Sequence, residues 1–146
     1  MIWQNKKFSQ KGLGGITLIE LIVVLGIIGV LSVFAIPSYR QYLNSQKIIG
    51  EATDFASLLR RAQQLTVTEQ KITKVEILNS QQYRILKEDL VLEEKNLAND
   101  VYLQAPCSQI SFNFAGAPSC WGEFLFQNNN QTRKVIMNAA GFIYIQ

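Results

Sequence analysis

The chain has 146 residues, 48% of them hydrophobic, with 14 lysines and arginines against 11 aspartates and glutamates, a formal charge of +3 and no histidine. That length accommodates one domain and an anchor but not two sizeable cores, and without imidazole a zinc site lacks its usual nitrogen ligands. Three of the lysines, Lys6, Lys7 and Lys11, precede Gly15 with no acid among them, so the rest of the chain balances at 11 basic and 11 acidic side chains and carries no basic excess for nucleic acid.

The first fifteen residues form a basic leader that ends in GLGG, Gly12 to Gly15. A secretory signal peptide places its small-residue cleavage site after the apolar core; here the small residues come before it. A cut at the glycines would shed the leader and leave the apolar segment on the mature chain. From Ile16 to Ile36 run 21 residues whose one charge is Glu20, and a helix of that length spans about 31 Å, close to the thickness of bilayer hydrocarbon. The leader lysines orient it with the leader in the cytoplasm and the remainder outside. A lone carboxylate in such a run is costly unless something pairs with it.

Pro37 ends the apolar run and is expected to kink or loosen the helix, because proline removes a backbone hydrogen bond and crowds the preceding turn. Beyond it, Ile48, Ala52, Phe55, Leu59 and Ala62 step by four and three, the period of a helix with one apolar stripe. One long helix is therefore expected from Ile16 to about Thr66, its first half in lipid and its second packed on a domain. After Thr68 the period falls to two: 74–78 and 83–87 read as a hairpin, followed by short strands at 101–103, 110–114, 123–127, 134–137 and 142–145. Asn128 to Asn130 and NAAG at 138–141 mark turns. Strands that follow a helix rather than alternate with helices predict an α+β fold, a long N-terminal helix on a small antiparallel sheet. The expected divisions are 1–15 leader, 16–37 membrane helix, 38–68 amphipathic helix and 69–146 β-rich head.

Cys107 and Cys120 lie thirteen positions apart in the part placed outside the cytoplasm. In an oxidising compartment a disulfide is favoured over a metal site, with free thiols the other reading. No catalytic residue, cofactor or metal ligand is assigned, since no nucleophile motif has a base partner. Glu88 with Asp89, and Glu93 with Glu94, lack the glycine turn of a calcium loop and read as a solvated face. Arg60, Arg61, Arg133 and Lys134 read as surface charge rather than phosphate contacts. Alternation assigns Phe124 and Phe126 to the core and leaves Trp121 a candidate docking residue. The Asn130, Gln131, Thr132 triplet matches a glycosylation sequon and is discounted.

Gly15 followed by ITLIEL, Ile16 to Leu21, with the basic leader before it and Pro37 at the far end of the apolar run, resembles the processing site of type IV pilin-like proteins, which include pilins and the pseudopilins of type II secretion systems. The resemblance implies cleavage after Gly15 by a prepilin peptidase, methylation of the new amino terminus on Ile16, and a role for Glu20 in neutralising that terminus during assembly. The family most often has phenylalanine or methionine where this chain has Ile16. Leu58 to Gln70 and the closing Arg133 to Ile145 resemble, more faintly, the H-type minor pseudopilins of the GspH/FimT-like group. Membership implies a non-enzymatic minor subunit, single-pass in the inner membrane until it joins a filament. Its implied partners are the peptidase, other pilins or pseudopilins, the inner-membrane assembly platform and the bilayer. One alternative is a minor pilin for DNA uptake, adhesion or motility, with nucleic acid a disfavoured partner. Another, of a different class, is a signal-anchored binding domain that never polymerises.

Overall fold

The computed structural model describes residues 15–128 and 131–146. The basic leader, the glycines before Gly15, and Asn129 and Asn130 of the expected asparagine turn and sequon lie outside the described residues. The chain divides into two units, Met1–Tyr39 and Arg40–Gln146.

Helix α1 runs from Leu18 to Glu69 with Pro37 inside it. It starts two residues later than the apolar run because Thr17 caps it: the Glu20 amide donates to Thr17 Oγ1 at 3.3 Å, and the Leu21 amide to the Thr17 carbonyl at 3.1 Å. It ends three residues later than expected, where Gln70 takes a positive φ of 54° and turns its Nε2 back onto the Val67 carbonyl at 2.8 Å. That bond satisfies one of the carbonyls a helix end leaves without a partner.

Eight strands follow among the described residues: β1 Thr73–Asn79, β2 Gln82–Lys87, β3 Leu90–Asn96, β4 Tyr102–Gln104, β5 Gln109–Ser111, β6 Gly122–Asn128, β7 Gln131–Met137 and β8 Ile143–Ile145. They form two four-stranded sheets rather than one, in the orders β3-β2-β1-β5 and β4-β6-β7-β8, with every strand pair antiparallel. The expected α+β class holds.

The predicted stripe is the centre of the head. Ile48, Ala52, Phe55, Leu59 and Ala62 are all fully buried, joined by Ala56 and Leu58. Phe55 meets Tyr83 of the first sheet edge-on at 5.0 Å between ring centroids, and Phe124 and Phe126 of the second sheet at 5.3 and 5.4 Å. One helical side chain thus ties both sheets into a single core, with Val75, Ile85 and Ile110 on one side and Leu103, Val135 and Met137 on the other. Thr66 is buried at the far end of the stripe, where its hydroxyl accepts from the Thr73 amide at 3.1 Å and fixes the start of β1 to the helix.

Strand β3 is the element absent from the sequence reading. Its inward positions meet charge instead of core: Glu93 accepts from Arg61 at 2.7 Å, and Lys95 donates to Asp54. The apolar-polar alternation that betrays a strand is therefore missing. Glu88 and Asp89 form the two-residue turn into β3, with φ of 47° and 71°, the paired positive values of a type I′ hairpin turn. Lys71 and Lys74 neutralise the two acids.

Candidate functional site

Gly15, Ile16 and Glu20 lie together at the start of α1, and the structure gives this stretch a physical character that residue counting does not. All the large hydrophobics from Ile16 to Ile36 are exposed, Ile16 by 77%. The segment is long and apolar enough to cross a membrane, and none of it is buried inside the chain. So much contiguous apolar surface in water far exceeds what a soluble monomer shows.

Within that surface Glu20 occupies the third position of the helix, one turn from the cap. Thr17 and Glu20 have the spacing of a capping box, Thr-x-x-Glu, a signal present in the sequence. The first turn is where backbone amides point without partners and favour negative charge. No cation pairs with the Glu20 carboxylate among the described residues. It is thus stabilised by its own helix end and still free to take a charged partner.

Around Pro37 the helix uses hydroxyls. Ser32 Oγ donates to the Ile28 carbonyl at 2.7 Å and Ser38 Oγ to the Phe34 carbonyl at 3.3 Å. Such back-bonding competes with the regular ladder and accompanies bending, while Pro37 itself has no N–H to offer the Val33 carbonyl.

In the head, Cys107 and Cys120 form a disulfide, with Cα atoms 6.6 Å apart. It straps the loop that carries β5 to the start of β6. Opposite that loop, Gln63 of α1 donates its Nε2 to the carbonyls of Gly116 at 2.7 Å and Gly141 at 3.2 Å. Gly141 has a φ of +84°, and a Cβ there would lie 2.4 Å from Gln63 Nε2 and 2.5 Å from the Gly116 carbonyl oxygen. Arg60, one turn earlier, donates to the Ile143 carbonyl at 2.9 Å. The two segments that carry the fainter resemblance, Leu58 to Gln70 and Arg133 to Ile145, therefore meet through Gln63–Gly141 and Arg60–Ile143. A long-range clamp of this kind leaves no local spacing to read.

Most of the other charged candidates are engaged in ion pairs within the head. Arg61 pairs with Glu93, Lys134 with Glu123 at 2.9 Å, Glu88 with Lys71 just before β1, and Asp89 with Lys74 of β1. Phe124 and Phe126 are core residues, as alternation predicts, whereas Trp121 is 55% exposed. Burial, and after it the carboxylates of Glu51, Asp54 and Glu93, push the Tyr83 phenol well above its ordinary value. Among the described residues its hydroxyl has no hydrogen-bond partner, and neither has Oε2 of Glu51.

No family model and no curated protein matches the sequence. The fold does match solved structures. The type IV minor pilin FimU of Pseudomonas aeruginosa aligns over 72% of this chain and 92% of its own, with a TM-score of 0.62 at 14% identity. The minor pseudopilin EpsH from the type 2 secretion system of Vibrio cholerae aligns over 68% of this chain and 96% of its own, with a TM-score of 0.55 at 12% identity. Over about 70% of its length the chain thus shares its fold with both kinds of minor subunit.

Proposed function

We propose that the chain is a non-enzymatic minor subunit of a type II secretion pseudopilus or type IV pilus, held in the inner membrane by Ile16 to Ile36 until it is drawn into a filament. The observation that carries this reading is the wholly exposed apolar helix whose one carboxylate, Glu20, sits in a capped first turn directly behind Gly15. The fold shared with a minor pilin and a minor pseudopilin supports it.

Prepilin peptidase cuts after Gly15 in this scheme, removes the three leader lysines and creates an amine on Ile16, which is then methylated. In the bilayer the exposed side chains face lipid, and a carboxylate near the end of the span costs less than the roughly 2.5 to 3.5 kcal/mol of a charge at its centre. When subunits stack, lipid is exchanged for neighbouring helices. An unpaired carboxylate is then expensive, and the Ile16 amine of an adjacent subunit neutralises Glu20. The pairing fixes the axial register, and Pro37 is the place where the helix yields on assembly. The leader stays in the cytoplasm and the disulfide-closed head outside.

Crosslinking mass spectrometry on native membranes tests the reading. A peptide beginning at methylated Ile16, joined to other pseudopilins and an assembly platform, supports a secretion filament; links to a major pilin or DNA-uptake proteins support a pilus. An intact leader with no filament partner contradicts both and leaves the signal-anchored domain.

A further inference from the structure

The two sheets have four edges, and three of them make further hydrogen bonds within the head among the described residues. The Leu103 amide of β4 donates to the Ser80 carbonyl at 2.6 Å. Beside β5, the Ser119 amide donates to the Ser111 carbonyl at 2.8 Å and Phe112 bridges to Pro118. On β8, Arg60 occupies the Ile143 carbonyl.

Strand β3 is seven residues long and ends its sheet with no such cover among the described residues. The Leu97 amide donates to the Gln81 carbonyl, which sets the alternation of this ladder, so Glu94 and Asn96 direct their N–H and C=O groups away from β2. Leu90, Val91 and Leu92 of the same strand are 68%, 43% and 40% exposed. Unpaired backbone groups flanked by apolar side chains template a further strand; the inward charges of Glu93 and Lys95 and the register shift between Ile85 and Leu86 blunt part of this edge and leave Glu94 and Asn96 as its regular outward positions. Here the edge is held in place from the inner side by the Arg61–Glu93 and Lys95–Asp54 pairs.

The charges say what kind of strand fits. Glu76, Asp89 and Glu93 each pair with a lysine or arginine, whereas Glu94 has no ion pair among the described residues: Arg84, opposite it in register, is taken by Glu76, and Glu94 accepts from the Gln82 amide at 3.1 Å. A second copy of this chain offers Glu94 no free cation from the same strand, because Lys95 is held by Asp54. We propose that β3 is a docking edge for an extended segment of a different protein, apolar where it faces Leu90 to Leu92 and bearing one lysine or arginine opposite Glu94. Main-chain bonds supply the affinity and the basic residue sets the register. The proposal holds whether or not the chain polymerises, since it uses only the head.

The test uses the full-length protein in its native membranes, with a photocrosslinking amino acid at Leu92 and, as a control, at Leu78. The expected product joins Leu92 to one stretch of one other protein, with a lysine or arginine two positions from the crosslinked residue. Glu94→Pro removes an outward N–H while leaving the bonds to β2, and should cut the yield about tenfold. Glu94→Lys, a surface change that folds readily, should cut it similarly, and an acid at the partner's basic position should restore it. Formation of Cys107–Cys120 reports that each variant is folded. Crosslinks to Leu90–Asn96 of a second copy, crosslinks scattered over many proteins, no crosslink, or a yield indifferent to both Glu94 variants would each overturn the proposal.

Discussion

Residues 16–39 and residues 40–146 handle apolar surface in opposite ways. In the first stretch the valines, leucines and isoleucines are exposed almost without exception, and the one carboxylate sits in the first helical turn. In the second, one helical stripe around Phe55 is fully buried against two sheets, and nearly all the acids outside the core are matched by lysine or arginine. The head completes its own core; the apolar segment completes nothing within the chain and needs lipid or other helices. Stability should therefore reside in the head and assembly in the segment, so that changes in one leave the other intact.

The largest expected effect comes from the side chain that joins the sheets. Phe55→Ala should cost about 3 to 5 kcal/mol in a denaturant titration of the detergent-solubilised chain, since the cavity opens onto both sheets at once. Membrane extraction should find it inserted as the parent is; loss of insertion would break the separation. Cys107→Ser should cost about 3 kcal/mol, the chain-entropy value for a loop of this length, read as a lower denaturation midpoint that matches the reduced parent.

Gly141→Ala should cost about 2 kcal/mol, because its φ of +84° disfavours a Cβ and the methyl would drive Gln63 off two carbonyls. Hydrogen exchange should quicken in β8 and around Gly116 together, and quickening in only one would mean that Gln63 does not clamp both. The smallest change is Tyr83→Phe. It removes a buried hydroxyl without a partner, and should leave stability at the parent level or raise it by about 1 kcal/mol near neutral pH. Because the folded phenol titrates above its unfolded value of about 10, its contribution is fully present below that pH and lost as pH rises through the folded value. The parent should lose stability above pH 10 faster than Tyr83→Phe, and coincident alkaline curves would show that the phenol is not buried.

The segment announced itself because its signals are local. Gly15, Glu20 and Pro37 stand out against an apolar background at fixed spacings, and the stripe from Ile48 to Ala62 needs only the helical period. Most strands were legible too, wherever alternation reflects one buried face. Strand β3 was not, since its inner face is charged and answers to Arg61 and Asp54, about thirty to forty positions away. Gln63 was unreadable for a related reason: its partners, Gly116 and Gly141, belong to loops that only the folded sheets bring together. The division of the strands into two sheets depends on pairings between distant segments and has no signature in any single run. Thr17 differs from these, because its capping-box spacing to Glu20 is local and legible in the sequence.

The separation of assembly from stability is tested most directly by Glu20→Ala, measured as the fraction of the protein recovered in sheared filaments alongside the denaturation midpoint of its head. The account predicts that incorporation falls at least about tenfold, the loss expected when a buried charge pair is left with one partner, while the midpoint is unchanged. Incorporation equal to the parent would contradict it, and would make Glu20 an ordinary first-turn acid of a membrane anchor.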